Sequence, residues 1–161
     1  MGKSILPLAM DLQSYEPHLT RDHLCYTFHS KGPRGEIQKV VKFRLAQTQP
    51  MVVYNVAFGD ANKSEIGFDV DVTSDNGDRD KVLRTVANII ILFCRRHPQV
   101  YVVAKGSSAS RNRLYQIMIS TRLAEIEDHC EIFGILESDT VVFRKNINYE
   151  GFLFKEKRDK R

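Results

Sequence analysis

A helix-forming segment placed between strand-like segments constrains the fold of this chain most. Residues 74–98, SDNGDRDKVLRTVANIIILFCRRHP, carry apolar side chains at three- and four-residue spacing, which forms a wide apolar face on a helix. Acidic residues mark the start of the segment, and Arg95, Arg96 and Pro98 mark its end. The pattern predicts a helix that packs on a sheet. Its apolar face consists of Val82, Val86, Ile89, Ile90 and Phe93.

Strand-like patterns lie on both sides of this helix. They are CYTFHS, IQKVVKFRLA, MVVYNVAFGD and EIGFDVDVTS before it, and QVYVVA, CEIFGILESDTVVFRK and EGFLFKEK after it. The segment KGPRG between the first two strands contains glycine and proline residues and predicts a tight turn. In the second strand, alternation places Phe43 and Leu45 on one face and Lys42 on the other. EIGFDVDVTS shows the clearest alternation and predicts a half-buried strand.

A second helical pattern follows QVYVVA. SRNRLYQIMISTRLAEIEDH has apolar residues at helical spacing and fits one helix or two helices jointed near Ser120 and Thr121. We therefore predict an α/β (α+β) fold, with a mixed, largely antiparallel central sheet and two main helices. The helix between FDVDV and VYVVA allows a right-handed parallel crossover. At 161 residues the chain fits a single globular domain over 1–155 and a basic tail over 156–161.

The turn between QVYVVA and the second helical pattern carries an unusual concentration of cationic and small polar residues. The first N–H groups of a helix that begins near Ser110 are unpaired and form a seat for an anion. Gly106 lets the backbone approach a ligand closely. The predicted ligand-binding residues are Lys105, Gly106, Ser107, Ser108, Ser110, Arg111 and Arg113.

The two arginines of this turn do not play the same role. Residues two apart on a helix point about 200° from each other, so Arg111 and Arg113 cannot both face one small ligand. One of them is therefore expected to be structural. The alternative explanation of the whole turn is that Ser108 or Ser110 caps the helix, Gly106 relieves a tight turn, and the arginines are solvated. The glycine spacing excludes a Walker motif.

The composition limits the classes of protein to which this chain can belong. A net charge of +4 and a pI near 9.0 permit binding of a polyanion, although a solvated C-terminal tail explains part of the excess. Cys25, Cys94 and Cys130 are odd in number and far apart, which favours reduced, packed thiols. The longest apolar run, 89–93, is too short to cross a bilayer, and no N-terminal signal pattern is present, so we expect a cytoplasmic protein without membrane contact.

Other groups of chemically active residues have simpler explanations. His18, His23 and His29 fit a surface or partly packed role better than a functional one. The carboxylates of DVD (69–71) and DNGD (75–78) are able to bind Mg²⁺ or Ca²⁺, but helix capping accounts for part of them, and no metal site is predicted. Tyrosines on the strands are able to stack on single-stranded RNA, yet alternating aromatics more often belong to the core.

Several motifs are familiar. VAKGSSASRNRLYQIMI, NGDRDKVLRTVANII, EIFGI and NYEGFLF resemble a family of small, uncharacterised bacterial proteins over roughly residues 50–155. That resemblance implies a shared fold and no transferable function. A more distant likeness is to the acetyl-CoA-dependent N-acyltransferase superfamily, which implies Tyr115 as a general acid. The matching turn, SDNGDRDK, carries carboxylates that repel a pyrophosphate.

The leading hypothesis is a small cytoplasmic bacterial protein that binds a phosphate-bearing ligand, RNA or nucleotide, at the turn between Lys105 and Arg113. Size, charge and resemblance suggest a toxin-antitoxin or defence component. The alternatives are an N-acyltransferase-like enzyme with Tyr115 as acid, and a non-catalytic interaction module whose basic tail contacts an acidic protein. Whether the chain is an enzyme stays open, and no cofactor is identified.

Overall fold

The computed structural model describes residues 13–61, 68–69, 76–106, 108–137 and 139–157. The helices are α1 (Arg79–Arg96), α2 (Ala109–Thr121) and α3 (Leu123–His129). The strands are β1 (His18–Leu19), β2 (Cys25–Gly32), β3 (Gly35–Gln47), β4 (Val53–Ala61), β5 (Phe68–Asp69), β6 (Tyr101–Ala104), β7 (Cys130–Leu136), β8 (Asp139–Val142) and β9 (Gly151–Glu156).

The strands follow the hydrogen-bonded order β1-β2-β3-β4-β6-β9-β7-β8, and β5 also pairs with β4. Strands β4 and β6 run parallel, with Val53 opposite Tyr101 and Val56 opposite Ala104. The pairs β1–β2, β2–β3, β4–β5, β6–β9, β7–β9 and β7–β8 are antiparallel. The predicted α+β class with a mostly antiparallel sheet is confirmed.

Individual elements match the sequence patterns to different degrees. Helix α1 lies within the segment predicted for it, and the predicted joint between two helices is confirmed, with Arg122 separating α2 from α3. The strand that pairs in parallel with β6 is β4 and not β5. Strand β5 pairs antiparallel with β4, with Asp69 opposite Asp60. The rest of the strand predicted over 65–74 lies outside the described residues.

Contacts divide the chain into two compact units. The first comprises the described parts of 1–43 and 57–89. Its core combines large side chains from β2, β3 and β4 with the apolar face of α1. The buried hydrophobic residues are Tyr26, Phe28, Val40, Val41, Phe43, Phe58, Val82, Leu83, Val86, Ala87 and Ile89.

Hydrogen bonds join the start of α1 to the β2–β3 hairpin within this first unit. The carboxylate of Asp78 accepts from the Tyr15 hydroxyl and the Ser30 hydroxyl, each at 2.6 Å. Burial and the bond to Asp78 raise the pKa of Tyr15. Asn76, which is 1% exposed, donates from Nδ2 to the carbonyl of Gly35 at 2.8 Å. The acidic helix start predicted from the sequence is therefore also a tertiary junction.

The second unit comprises the described parts of 44–56 and 90–161. The ring of Phe93 on α1 contacts that of Tyr54 on β4, with centroids 5.4 Å apart. Cys94 and Cys130 are free and buried, and their mutual hydrogen bond and burial raise the pKa of the Cys94 thiol. The buried hydrophobic residues are Val56, Ile90, Ile91, Phe93, Cys94, Val102, Ala104, Tyr115, Met118, Ile119, Ile126, Cys130, Ile132, Phe143, Tyr149, Phe152 and Phe154, and Arg111 is buried with them.

Other details differ from the sequence patterns. Leu45, expected on the apolar face of its strand, is 51% exposed and lies near the end of β3. Glu156 ends β9, and the N–H of Lys157 donates to the carbonyl of His129 at 2.9 Å. Both residues, assigned to the tail from sequence, therefore contribute to the fold. Residues 158–161 lie outside the described part.

Candidate functional site

Helix α2 begins with a side-chain cap. Ser108 has an extended backbone, with φ −147° and ψ 169°, and its hydroxyl accepts from the N–H of Arg111 at 3.2 Å. The carbonyl of Ser108 accepts from the N–H of Asn112 at 2.9 Å. The capping role considered for Ser108 is confirmed. The N–H groups of Ala109 and Ser110 have no hydrogen-bond partner among the described residues.

Gly106 permits a close approach within the protein. A Cβ at this position would lie 2.2 Å from the backbone nitrogen of Asn112. The N–H of Gly106 also donates to Oδ1 of Asn112 at 3.1 Å. Glycine is therefore required because the turn packs directly on the backbone of α2, and a contact between Gly106 and a ligand stays a prediction.

The cationic residues of the turn occupy different environments. Lys105 and Arg113 are exposed, whereas Arg111 is 8% exposed and lies close enough to Tyr115 for their charges to interact. Desolvation outweighs the Arg111 charge and raises the pKa of Tyr115 to about 12. The predicted separation of the two arginines is thus observed. The side chain of Ser107 lies outside the described residues.

A groove of about 780 Å³ runs along α2. One wall consists of α2 positions three or four apart, and the other consists of residues after β8. The lining residues are Ala109, Ser110, Asn112, Arg113, Gln116, Ile117, Ser120, Asn146, Asn148 and Tyr149. Arg113 is the cation in this lining, and no carboxylate belongs to it. Exposed Arg144 and Lys145 immediately precede the second wall.

Side-chain amides of α2 hold the second wall in place. Asn112 Nδ2 donates to the carbonyl of Tyr149 at 2.7 Å, and Gln116 Nε2 donates to the carbonyl of Ile147 at 2.5 Å. The hydroxyl of Tyr149 accepts from the N–H of Arg144 at 2.9 Å. A Cβ on Gly134 would lie 2.2 Å from the Tyr149 ring, so glycine leaves the space that this ring fills. The groove is therefore preformed.

The structure brings together part of the predicted site and adds residues to it. Ser110 and Arg113 line the groove, Ser108 and Gly106 shape the turn behind it, and Arg111 lies in the core. Sequence reasoning missed Asn112, Gln116, Asn146 and Asn148. One signal was available, since Asn112, Gln116 and Ser120 recur every four residues and form a polar stripe on α2. Ile117, read as part of the apolar face, lies in the groove.

Tyr115 lies away from the groove lining. It is 5% exposed and belongs to the core of the second unit. A role for Tyr115 as a general acid stays a prediction, and its burial weighs against it because a proton donor must reach its substrate.

The histidines and Asp78, considered from the sequence, have the surface and helix-start positions expected for them. His18, His23 and His29 are all exposed. The backbone carbonyl of Asp78 accepts from Val82 N–H at 2.9 Å, as expected at a helix start. Asp71 lies outside the described residues. Within the described ranges, no group of three or more metal-ligating side chains is close enough to hold an ion.

A buried ion pair in the first unit also escaped the sequence analysis. Lys39 Nζ lies 2.6 Å from Asp60 Oδ1, and the side chains are 1% and 9% exposed. Lys39 has the strand parity of Phe43, so alternation itself places this lysine on the apolar face. A charged residue at such a position predicts a buried partner, but the sequence does not identify which acid it is.

A family model matches most of the chain and agrees with the first resemblance. The chain belongs to a family of unknown function, DUF6934, whose model matches residues 11–157. This range is wider than the 50–155 expected from the motifs. No curated protein and no solved structure shows significant similarity to the chain. The likeness to N-acyltransferases stays a prediction.

Among the described residues, no helix combines the length and the apolar character that crossing a membrane requires.

Proposed function

We propose that the groove along α2 binds a phosphate-bearing ligand, an RNA or a nucleotide. The observation that supports the proposal best is the composition of its lining, which combines hydroxyl and amide groups with Arg113 and contains no carboxylate. Its volume of about 780 Å³ lies within the range of small-ligand sites. A bacterial, cytoplasmic toxin-antitoxin or defence role belongs to the same proposal and is based on size, charge and resemblance.

The phosphate would lie at the end of the groove where α2 begins. The N–H groups of Ala109 and Ser110 are located there, at the positive end of the helix dipole. The Ser110 hydroxyl is a further donor, and Arg113 follows one helical turn later with a charge that pairs well with phosphate oxygens. These groups belong to one element, so they need little reorganisation when a ligand binds.

The remainder of the ligand would follow the helix. From Ala109 to Ser120 the groove extends over roughly 16 Å of α2, which accommodates a few nucleotides. The exposed amides of Asn146 and Asn148 are able to donate to and accept from base edges. Arg144 and Lys145 add positive charge beside this wall. Arg111 supports the site from the core and does not contact the ligand.

The test is fluorescence anisotropy with a labelled single-stranded RNA, with AMP as competitor. Arg113→Ala is expected to weaken binding roughly 10-fold, the usual effect of losing a hydrogen bond to a charged group, and to reduce the salt dependence by the contribution of about one phosphate contact. Lys105→Ala is expected to cause a smaller loss of RNA affinity. Arg44→Ala removes an exposed arginine outside the groove lining and serves as the matched control.

Equal losses of RNA affinity in Arg113→Ala and Arg44→Ala would show that binding depends on net charge and not on the groove. Acetyl-CoA provides the comparison with the enzyme alternative. If acetyl-CoA raises the melting temperature while RNA and AMP do not bind, the acyltransferase hypothesis replaces this proposal.

A further inference from the structure

Strand β8 forms one end of the strand order and has an unpaired side. It pairs antiparallel with β7, with Phe133 opposite Val142 and Leu136 opposite Asp139. Among the described residues, no strand pairs with its other side. All residues of β8 are exposed, and Val142 is 70% exposed.

The backbone groups on this free side can be assigned from the hydrogen-bond pattern. The N–H of Phe143 donates to the carbonyl of Ile132 at 3.1 Å, so Phe143 faces β7. Because facing alternates along an antiparallel strand, Val141 also faces β7, whereas Thr140 and Val142 direct their N–H and C=O groups outward. An edge of this kind can accept another strand.

The charges around β8 indicate which kind of strand can pair with its free side. Asp139 begins the strand, and exposed Arg144 and Lys145 follow its end. The segment is therefore acidic at one end and basic at the other. An antiparallel copy of the same segment places each acidic end beside a basic end, which a parallel copy does not.

We propose that a second copy of this chain pairs with β8 in an antiparallel manner about a two-fold axis. Outward-facing residues must pair with outward-facing residues, so Thr140 lies opposite Val142 of the second copy, where the two exchange backbone hydrogen bonds, and the axis passes beside Val141. The same register places Asp139 opposite Phe143 of the second copy, next to its exposed Arg144. The interface covers a short strand and is smaller than a standard interface, so the dimer is weak and forms as concentration rises.

The test is sedimentation velocity of the full chain over a series of concentrations up to the millimolar range. Wild type is expected to shift from monomer towards dimer. Asp139→Lys and Arg144→Asp each place like charges beside one another, so each variant alone is expected to remain monomeric. Their equimolar mixture is expected to dimerise again, and so is the double variant, because both restore opposite charges across the axis.

A backbone variant tests the same register independently of charge. Val142→Pro removes an outward-facing N–H and is expected to abolish dimerisation, whereas Val142→Thr keeps that group and is expected to retain it. Circular dichroism and thermal melting establish that each variant is folded. A wild type that stays monomeric at every concentration overturns the proposal. So does a dimer that persists in both single charge variants, or a mixture that fails to dimerise.

Discussion

Lys39 and Asp60 form a buried ion pair in the first unit. Both side chains are almost completely removed from solvent, and Lys39 Nζ lies 2.6 Å from Asp60 Oδ1. Removing two charges from water is costly, and their attraction offsets that cost only while both are present. The pair therefore makes the first unit sensitive to loss of either partner.

Lys39→Met is expected to lower the free energy of unfolding by about 3–5 kcal/mol, because it removes the positive charge that lies 2.6 Å from the buried carboxylate of Asp60. Lys39→Met combined with Asp60→Leu is expected to recover most of that loss, since no buried charge remains. Urea unfolding measures both values. Equal destabilisation in the single and the double variant would show that side-chain packing, rather than charge pairing, explains the effect.

Tyr115 predicts a pH dependence at the residue scale. Burial raises its pKa from the ordinary 10.0 to about 12 in the folded protein. The folded state therefore holds the phenol proton more tightly than the unfolded chain does. The raised pKa of Tyr115 contributes about 2–3 kcal/mol to the free energy of unfolding. This contribution is complete below pH 10 and is lost as pH rises through about 12.

Tyr115→Phe is expected to make the decline in stability above pH 10 shallower than in wild type, because the group that titrates is removed. Urea unfolding at a series of pH values up to ~11 measures the difference. If both proteins lose stability along the same curve, Tyr115 ionises equally in the folded and unfolded states and is not buried as described.

At the scale of elements, Asn112 connects three segments of the second unit. Its Oδ1 accepts from Gly106 in the turn before α2, and its Nδ2 donates to the carbonyl of Tyr149 in the wall of the groove. Asparagine is a poor helix former. Its occurrence in the first turns of α2 is explained by these bonds, which are made to segments on either side of the helix.

Asn112→Ala is expected to lower the free energy of unfolding by about 1–3 kcal/mol, because the Gly106 N–H and the Tyr149 carbonyl lose their partner. Asn148→Ala is the matched control, since Asn148 is exposed in the same groove, and it is expected to change stability by less than about 0.5 kcal/mol. Chemical denaturation measures both changes. Similar losses in the two variants would contradict the role given to Asn112.

The elements themselves were predictable because each depends on a local repeat. The apolar spacing around Ile89 identifies α1, and the change of pattern near Ser120 identifies the joint between α2 and α3. Strand pairing was less predictable, because a strand's neighbour depends on which other strand packs beside it. For that reason the parallel partner of β6 is β4 and not the strand that directly precedes α1.

At the scale of the whole molecule, the candidate site was predictable only in part. The turn around Gly106 and the start of α2 follow from adjacent residues, so their position and the separation of Arg111 from Arg113 were predictable. The second wall of the groove comes from residues 146–149, far along the chain from α2. No local pattern connects them, since the hydrogen bonds from Asn112 and Gln116 reach residues 37 and 31 positions further along the chain.

The sequence by itself determined the α+β class, the positions of the main helices and strands, and the angle between side chains on one helix. These properties depend on residues a few positions apart, where backbone geometry alone relates one side chain to the next. Tertiary structure alone decided that Lys39 pairs with Asp60, that Arg111 is buried while Arg113 lines a groove, and that β8 is an edge. These depend on which distant segments pack together, and packing removes some charged groups from water while it leaves others exposed.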